Sequence, residues 1–132
     1  MDPARIKSIP LFADLSRKER KQVAQWADEI EVDEGAHLVT QGEFAYEFFV
    51  IREGAAEVTQ DDRHVRYLGP GDFFGEIALL DEDRRTASVV ATSPMRLVAM
   101  FGRDFRAMTG TVPEVVDKVR RAIEERLGSA EA

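Results

Sequence analysis

The sequence contains no cysteine and only two histidines, His37 and His64. Without cysteine the chain can form no disulfide bond, no thiolate metal site and no thiol nucleophile. Metal-dependent β-barrel enzymes bring two or three histidines and a carboxylate together inside the barrel, and two isolated histidines do not supply such a set. We therefore expect no metal, no catalytic cofactor and no catalytic residues, which favours a binding protein over an enzyme.

Long apolar segments are also absent, since the apolar runs are short, such as the one at residues 48–51. The first residues, MDPARIKSIPLF, lack the basic start and the apolar stretch of a secretion signal. These absences predict a cytoplasmic protein without a membrane partner. A length of 132 residues is that of one ordinary domain, so we expect a single domain over residues 1–132.

Positive charge is scarce, because 25 acidic residues stand against 18 lysines and arginines, for a net charge of -7. The deficit is concentrated in residues 27–62, which contain eleven acidic residues and one base, Arg52, and so carry a charge of -10. This distribution argues against a nucleic-acid partner, which needs a broad basic surface. The remaining residues sum to +3, so a small anion can still find a positive environment there.

Helix signals at the start of the chain give way to a β-rich middle. Ser16 and Glu19 form a capping-box pattern, and apolar residues at helical spacing follow it, which predicts a helix over residues 17–29 within a helical segment of residues 1–29. Between residues 30 and 101 short β-rich runs are separated by glycines, without helix-length crossovers, which favours a barrel or a sandwich. The strands predicted here cover residues 37–41, 46–52, 56–60, 64–68, 87–92 and 96–101.

Helical signals return after the last of these strands, over residues 103–108 and then from Pro113 to about residue 127. Val119 and Ile123 belong to an apolar face of the second helix. This face predicts core packing, and it is also compatible with a homodimer through the last helix. The five residues after Leu127 leave no space for a DNA-binding helix-turn-helix, so we expect a stand-alone module whose effector protein the sequence does not identify.

One segment, residues 69–91, has the features of an anion site. Gly75 lets the backbone approach a ligand closely, and it precedes about one turn of predicted helix at residues 76–80, whose first amide groups attract phosphate. Arg85, about ten residues further on, can add a charge-assisted contact to the same anion. Glu76 accepts hydrogen bonds but does not donate them when ionised, so a sugar hydroxyl is a suitable partner. These three residues together fit a ribose phosphate.

The run FGEIALLDEDRRTA at residues 74–87 resembles the phosphate-binding cassette of cyclic nucleotide-binding domains, which occur in catabolite activator proteins, kinase regulatory subunits and gated channels. The resemblance extends over about residues 5–127, through IPLFADLSRKE, GAHLVTQGEFAYEFFVIREGAAEV and LGPGDFFGE, so it is far more specific than a lone glycine pattern. It implies a mainly β fold, an eight-stranded jelly-roll barrel (double-stranded β-helix) with N-terminal and C-terminal helices. The ligand would lie inside the barrel against the cassette.

The resemblance also implies roles for individual residues. The phosphate would bind the backbone of Ile77 and Ala78 after Gly75, the Arg85 side chain and the Thr86 hydroxyl, while Glu76 would accept from the ribose 2'-hydroxyl. The apolar residues expected to form pocket walls are Val58, Leu68, Phe74 and Ala87. The last helix would act as a lid that moves on binding, through Val119, Arg120 and Ile123.

Two positions of the cassette depart from the usual family pattern or vary within the family. Arg84 stands where the family usually has proline, and we expect its side chain to be exposed. Thr86 has a hydroxyl that the resemblance links to guanine in some relatives and to phosphate in others, so the choice of nucleotide stays open. The resemblance favours cAMP as the expected ligand, because it is the commoner bacterial-type ligand, with cGMP as the alternative. A degenerate scaffold or dimerisation module that binds no nucleotide is the second reading of the fold, although such members usually lose the arginine or the glutamate of the cassette.

Overall fold

The computed structural model describes residues 1–44, 46–75, 84–110 and 112–131, without the side chains of residues 109, 123 and 126–131. Short helices begin the chain, eight strands form its middle and two helices end it. The helices are α1 (Pro3–Ile6), α2 (Arg17–Ala24), α3 (Gly102–Ala107) and α4 (Pro113–Glu131), with single 3-10 turns at Pro10–Phe12 and Met108–Gly110. The strands are β1 (Ala27–Val32), β2 (His37–Val39), β3 (Glu47–Glu53), β4 (Ala56–Gln60), β5 (Arg63–Leu68), β6 (Phe73–Phe74), β7 (Ser88–Ala91) and β8 (Met95–Phe101).

The eight strands form two antiparallel sheets of four. One sheet has the order β1-β8-β3-β6 and the other the order β2-β7-β4-β5. Apart from β4 and β5, strands that are adjacent in a sheet are not consecutive in sequence, since β8 lies between β1 and β3 and β7 lies between β2 and β4. This crossing of the chain between two sheets is typical of a jelly roll. The predicted fold class, a mainly β jelly roll with flanking helices, is therefore confirmed.

Two apolar cores lie on opposite faces of the β1-β8-β3-β6 sheet. Along β3, Phe48 and Val50 pack with the terminal helices, whereas Phe49 and Ile51 pack between the two sheets. All four side chains are at most 3% exposed. Because neighbouring residues of a strand point to opposite faces, a strand buried on both sides is apolar at every position rather than at every second one.

The capping box at the start of α2 is present as predicted. The Glu19 backbone N–H donates to the Ser16 Oγ at 3.2 Å, and the Glu19 carboxylate accepts from the Ser16 N–H at 2.8 Å. The same carboxylate accepts from the Lys118 Nζ of α4 at 2.8 Å. The Lys118 hydrogen bond, with the Ser16 backbone contact, lowers the pKa of Glu19. This ion pair therefore connects the N-terminal helices to the C-terminal helix.

The helix predicted over residues 17–29 is wrong in its second half. Helix α2 ends at Ala24, and Ala27–Val32 is strand β1, paired with β8 from Ala27 opposite Met100 to Val32 opposite Met95. The spacing of three between the apolar residues Ala27 and Ile30 fits a helical period, but in β1 it places them on opposite faces, Ala27 in the core of the terminal helices and Ile30 against the core between the sheets. Strand β6, only two residues long, was also missed, and α4 extends beyond residue 127 to Glu131.

Candidate functional site

A cavity opens between the two sheets beside the cassette. It measures about 110 Å3. Its walls come from β2, β4, β5, β6, β7 and the segment just before β7. The lining residues that the structure describes are Val39, Val58, Arg66, Phe74, Gly75, Arg85, Thr86, Ala87 and Val89. We call this feature the cassette cavity.

Gly75 forms the corner where β6 leaves the sheet. Its φ of +80° lies in the left-handed region, which side chains other than glycine rarely adopt. A Cβ at this position would lie 2.6 Å from the Glu47 carbonyl oxygen and 2.6 Å from the Arg85 Nη1. Glycine is therefore required twice, by the backbone conformation and by the close approach of the arginine.

The Arg85 side chain is buried and faces the cassette cavity. It is 8% exposed and is the one buried side chain with a charge among the residues that the structure describes. Its Nη2 donates to the Glu47 carbonyl oxygen at 2.6 Å. The backbone is held on both sides, since its N–H donates to the Glu43 carbonyl at 2.7 Å and its carbonyl accepts from the Gly42 N–H at 2.9 Å. The Glu47 carbonyl and the backbone hydrogen bonds of Arg85 thus help to hold the guanidinium within the cavity wall.

The residues on either side of Arg85 point outward. Arg84 is exposed, as predicted; its Nη1 donates to the Gly42 carbonyl at 2.7 Å and its guanidinium lies 4.2 Å from the centre of the Phe44 ring. Thr86 is exposed at the edge of the cassette cavity. Consecutive arginines therefore occupy different environments, and only Arg85 has the burial that makes a charge-assisted contact strong.

The structure brings together most of the predicted site residues that it describes. Gly75, Arg85 and Thr86 share one cavity with the predicted wall residues Val58, Phe74 and Ala87. The predicted wall residue Leu68 belongs to the same core, 6% exposed, but is not among the described lining residues. Glu76, Ile77 and Ala78, together with the turn of helix predicted for residues 76–80, lie outside the described residues.

The predicted lid residues lie elsewhere in this structure. Val119 is 2% exposed and packs with the terminal helices rather than with the core between the sheets. Arg120 is half-buried on α4, and the Ile123 side chain is outside the described set. No α4 residue is among the described lining residues of the cassette cavity. Helix α4 lies against the N-terminal helical segment.

Sequence reasoning missed three lining residues, Val39, Val89 and Arg66. Val39 and Val89 come from the paired strands β2 and β7, and strand alternation alone does not show which face they share. Arg66 lies on β5 opposite Val58 of β4. Its side chain is exposed, and it makes no hydrogen bond or ion pair with another described residue. The only sequence signal for it was a cation two residues before the buried Leu68.

A larger cavity, of about 520 Å3, lies where β1 ends and β8 begins. Three of its seven described lining residues are acidic, Glu31, Asp33 and Glu53, and one is a cation, Arg96. Arg96 donates to Glu31 at 3.0 Å and lies 3.7 Å from Glu53, and the Glu31 hydrogen bond raises its pKa. This surface lacks the glycine corner and the buried cation of the cassette cavity, so its size does not make it the better candidate site.

Within the described ranges, no group of three or more His, Cys, Asp or Glu side chains is arranged to hold a metal ion. None of the described helices has the length and apolar character needed to span a bilayer.

The fold is a jelly-roll β domain whose cavity combines a glycine corner with a buried arginine held by a backbone carbonyl. The model of the cyclic nucleotide-binding domain family matches residues 29–111, and the chain belongs to this family. A cyclic nucleotide-gated potassium channel of Rhizobium etli is 32% identical over 123 residues, which are 93% of this chain and 34% of the channel. The chain spans about a third of the length of the curated relatives it matches.

Solved structures give the same answer for the fold. A structure described as a cyclic nucleotide-binding protein from Geobacter metallireducens is 26% identical, has a TM-score of 0.83 and covers 96% of this chain and 98% of its own. The regulatory domain of Toxoplasma gondii PKA, crystallised with cAMP, is 27% identical, has a TM-score of 0.75 and covers 93% of this chain and 48% of its own. The resemblance predicted from the cassette is therefore confirmed at the level of family and fold.

Proposed function

We propose that this domain is a regulatory sensor that binds a cyclic nucleotide in the cassette cavity, and does so without catalysis. The observation that carries the proposal is the buried Arg85 guanidinium facing a cavity whose corner, Gly75, has space for no side chain. A cyclic phosphate has one negative charge and several acceptor oxygens, which match a fixed guanidinium fork. Glu76, Ile77, Ala78 and Thr86 keep the roles that the family resemblance implies for them.

The size of the cavity bears on how the ligand would lie. Sites for small molecules usually measure about 300–1,000 Å3, and this one measures about 110 Å3. A nucleotide with its phosphate beside the buried Arg85 must therefore widen the cavity or extend towards the exposed Arg66. We propose that the widening moves α4, which is a shift of population between two packings of the terminal helices.

Thermal melting with each nucleotide tests the proposal directly. At a ligand concentration of about 100 times the dissociation constant, binding should add about 2.7 kcal/mol to the free energy of unfolding, which raises the melting temperature by roughly 10 °C for a domain of this size. We expect cAMP to produce this shift, because the Toxoplasma gondii relative was crystallised with cAMP. An unchanged melting temperature with both nucleotides at millimolar concentration would support the non-binding scaffold instead.

Arg66 favours cGMP as a second candidate ligand. Strand β5 is two positions from β7 in its sheet, about 10 Å across, so Arg66 approaches the cavity from the opposite side to the segment that contains Arg85. Guanine presents two acceptors, O6 and N7, that suit an arginine fork, whereas adenine has an amino donor in place of O6. A base that leaves the cavity on this exposed side would meet the Arg66 guanidinium.

The Arg66→Leu variant tests whether Arg66 distinguishes cGMP from cAMP. If Arg66 contacts guanine, the variant should weaken cGMP binding about tenfold and change cAMP binding by less than twofold, as measured by calorimetry. Arg63→Leu is the matched control, because Arg63 is exposed on the same strand and is not among the described cavity residues. Equal losses for the two nucleotides would contradict a base-reading role.

A further inference from the structure

A second cavity, lined by cations, lies on the outside of the N-terminal helices. It measures about 370 Å3 and is bounded by residues of α1, α2 and the chain just beside them. Asp2 is the one acidic residue in its described lining. The cationic lining residues are Lys7, Arg17, Arg20 and Lys21. We call this feature the helix groove.

The cations of the helix groove are largely uncompensated. Arg20 donates through Nη1 to the Leu15 carbonyl at 2.8 Å, which is a neutral acceptor. The other three side chains, those of Lys7, Arg17 and Lys21, make no hydrogen bond or ion pair within the part of the chain that the structure describes. Like charges gathered around one cavity repel each other, and this repulsion is relieved when an anion enters.

Two carboxylates of this region, those of Asp2 and Glu19, accept hydrogen bonds from groups outside the cationic lining. The Asp2 Oδ1 accepts from the Ala4 backbone N–H at 2.9 Å as the N-cap of α1. Glu19 accepts from the Ser16 N–H and from Lys118, both at 2.8 Å. Asp2 keeps its negative charge while it caps α1, so the four cations and one carboxylate of the described lining leave a net charge of +3 in the groove.

The charge of the rest of the chain limits the size of that ligand. Residues 1–26 contain six basic and three acidic residues, whereas residues 27–62 carry a charge of -10. A long polyanion bound in the helix groove would also run over acidic surface and be repelled. A volume of about 370 Å3 is within the usual range of roughly 300–1,000 Å3 for small ligands. The groove therefore suits a compact anion with several charges.

We propose that the helix groove is a second ligand site, which binds a compact anion with two or more phosphate groups. The shared chemistry is a cluster of phosphates that arginine and lysine donors can surround. Its source is either a soluble oligophosphate or the phosphorylated headgroup of an inositol lipid. The proposal does not depend on cyclic nucleotide binding, because the groove and the cassette cavity share no described lining residue.

Calorimetric titration of the full chain with tripolyphosphate tests the soluble source, and co-sedimentation with phosphatidylcholine vesicles containing phosphatidylinositol bisphosphate tests the lipid source. The groove variant is Lys7→Glu with Lys21→Glu. The matched control is Lys18→Glu with Arg63→Glu, which changes the net charge equally at exposed residues outside the described lining. Arg85→Ala serves as a second control, because tripolyphosphate could also enter the cassette cavity.

We expect the groove variant to lose at least tenfold in affinity for one of the two probes, while the charge-matched control and Arg85→Ala change by less than twofold. Tighter binding of tripolyphosphate would assign a soluble ligand, and tighter binding of the vesicles would assign a lipid headgroup. Absence of binding to both probes by the parent overturns the proposal. Equal losses in the groove variant and the charge-matched control overturn it as well, since they would show a net-charge effect. Circular dichroism melts confirm that each variant is folded.

Discussion

Replacing Arg85 with alanine is expected to weaken cyclic nucleotide binding by about 10- to 150-fold, which corresponds to the roughly 1.5–3 kcal/mol of a charged hydrogen bond. The side chain is 8% exposed and is held by the Glu47 carbonyl, so a phosphate in the cavity meets a cation with little freedom left to lose. Loss of the guanidinium removes the charge and the fork together. Calorimetry with the preferred nucleotide measures the change.

Arg84→Ala is the matched control, because it removes the same side chain one residue earlier. Arg84 is exposed and lies over the Phe44 ring, so its loss should change nucleotide affinity by less than twofold. Arg85→Lys should recover part of the affinity, since it restores the charge without the bidentate geometry. If Arg84→Ala weakened binding and Arg85→Ala did not, the assignment of the phosphate to Arg85 would be wrong.

Gly75→Ala is expected to disrupt the site and to destabilise the fold. The left-handed φ of +80° costs about 1–3 kcal/mol for a residue other than glycine. The new Cβ would also meet the Glu47 carbonyl oxygen and the Arg85 Nη1 at 2.6 Å, so the arginine must shift from its position. We expect a lower free energy of unfolding in urea and a loss of nucleotide affinity at least as large as that of Arg85→Ala.

The Gly35→Ala variant separates the effect of the backbone conformation from the effect of the steric contact. Gly35 has a similar φ of +89°, but a Cβ there would meet nothing within 4 Å. This variant should therefore show the cost of the backbone conformation alone, with nucleotide affinity unchanged. If Gly75→Ala bound nucleotide as well as Gly35→Ala does, the close approach of Arg85 to the glycine corner would have no role in binding.

The fold was predictable from local signals wherever these agreed with the tertiary structure. The capping box at Ser16 and the glycine-bounded runs between residues 30 and 101 indicated the helix start and six of the eight strands. The segment after Ala24 was misread because apolar residues at positions 27 and 30 have helical spacing, although they belong to a strand with an apolar core on each face, and because the pairing of β1 with β8 is a long-range contact. Strand β6 was too short to give any pattern.

The candidate site was predictable to the extent that it is contiguous in sequence. Gly75 and Arg85 are close along the chain, so a motif of a dozen residues could indicate both. Arg66 reaches the same cavity only because β5, β4 and β7 are neighbours in one sheet, and strand order is not encoded by any local pattern. Only the structure could therefore show which residues a ligand would meet on the side of the cavity away from the cassette.

The two phenylalanines of β6 belong to different cores. Phe74 stacks on Phe49 at 5.0 Å and lines the cassette cavity, whereas Phe73 lies 5.7 Å from Phe48 in the core of the terminal helices. A displacement of Phe74 that moves the β6 backbone would also move Phe73, because one peptide plane joins the two residues. We therefore expect nucleotide binding in the cassette cavity to change amide hydrogen exchange in α4, on the other side of the sheet, without any contact between nucleotide and helix.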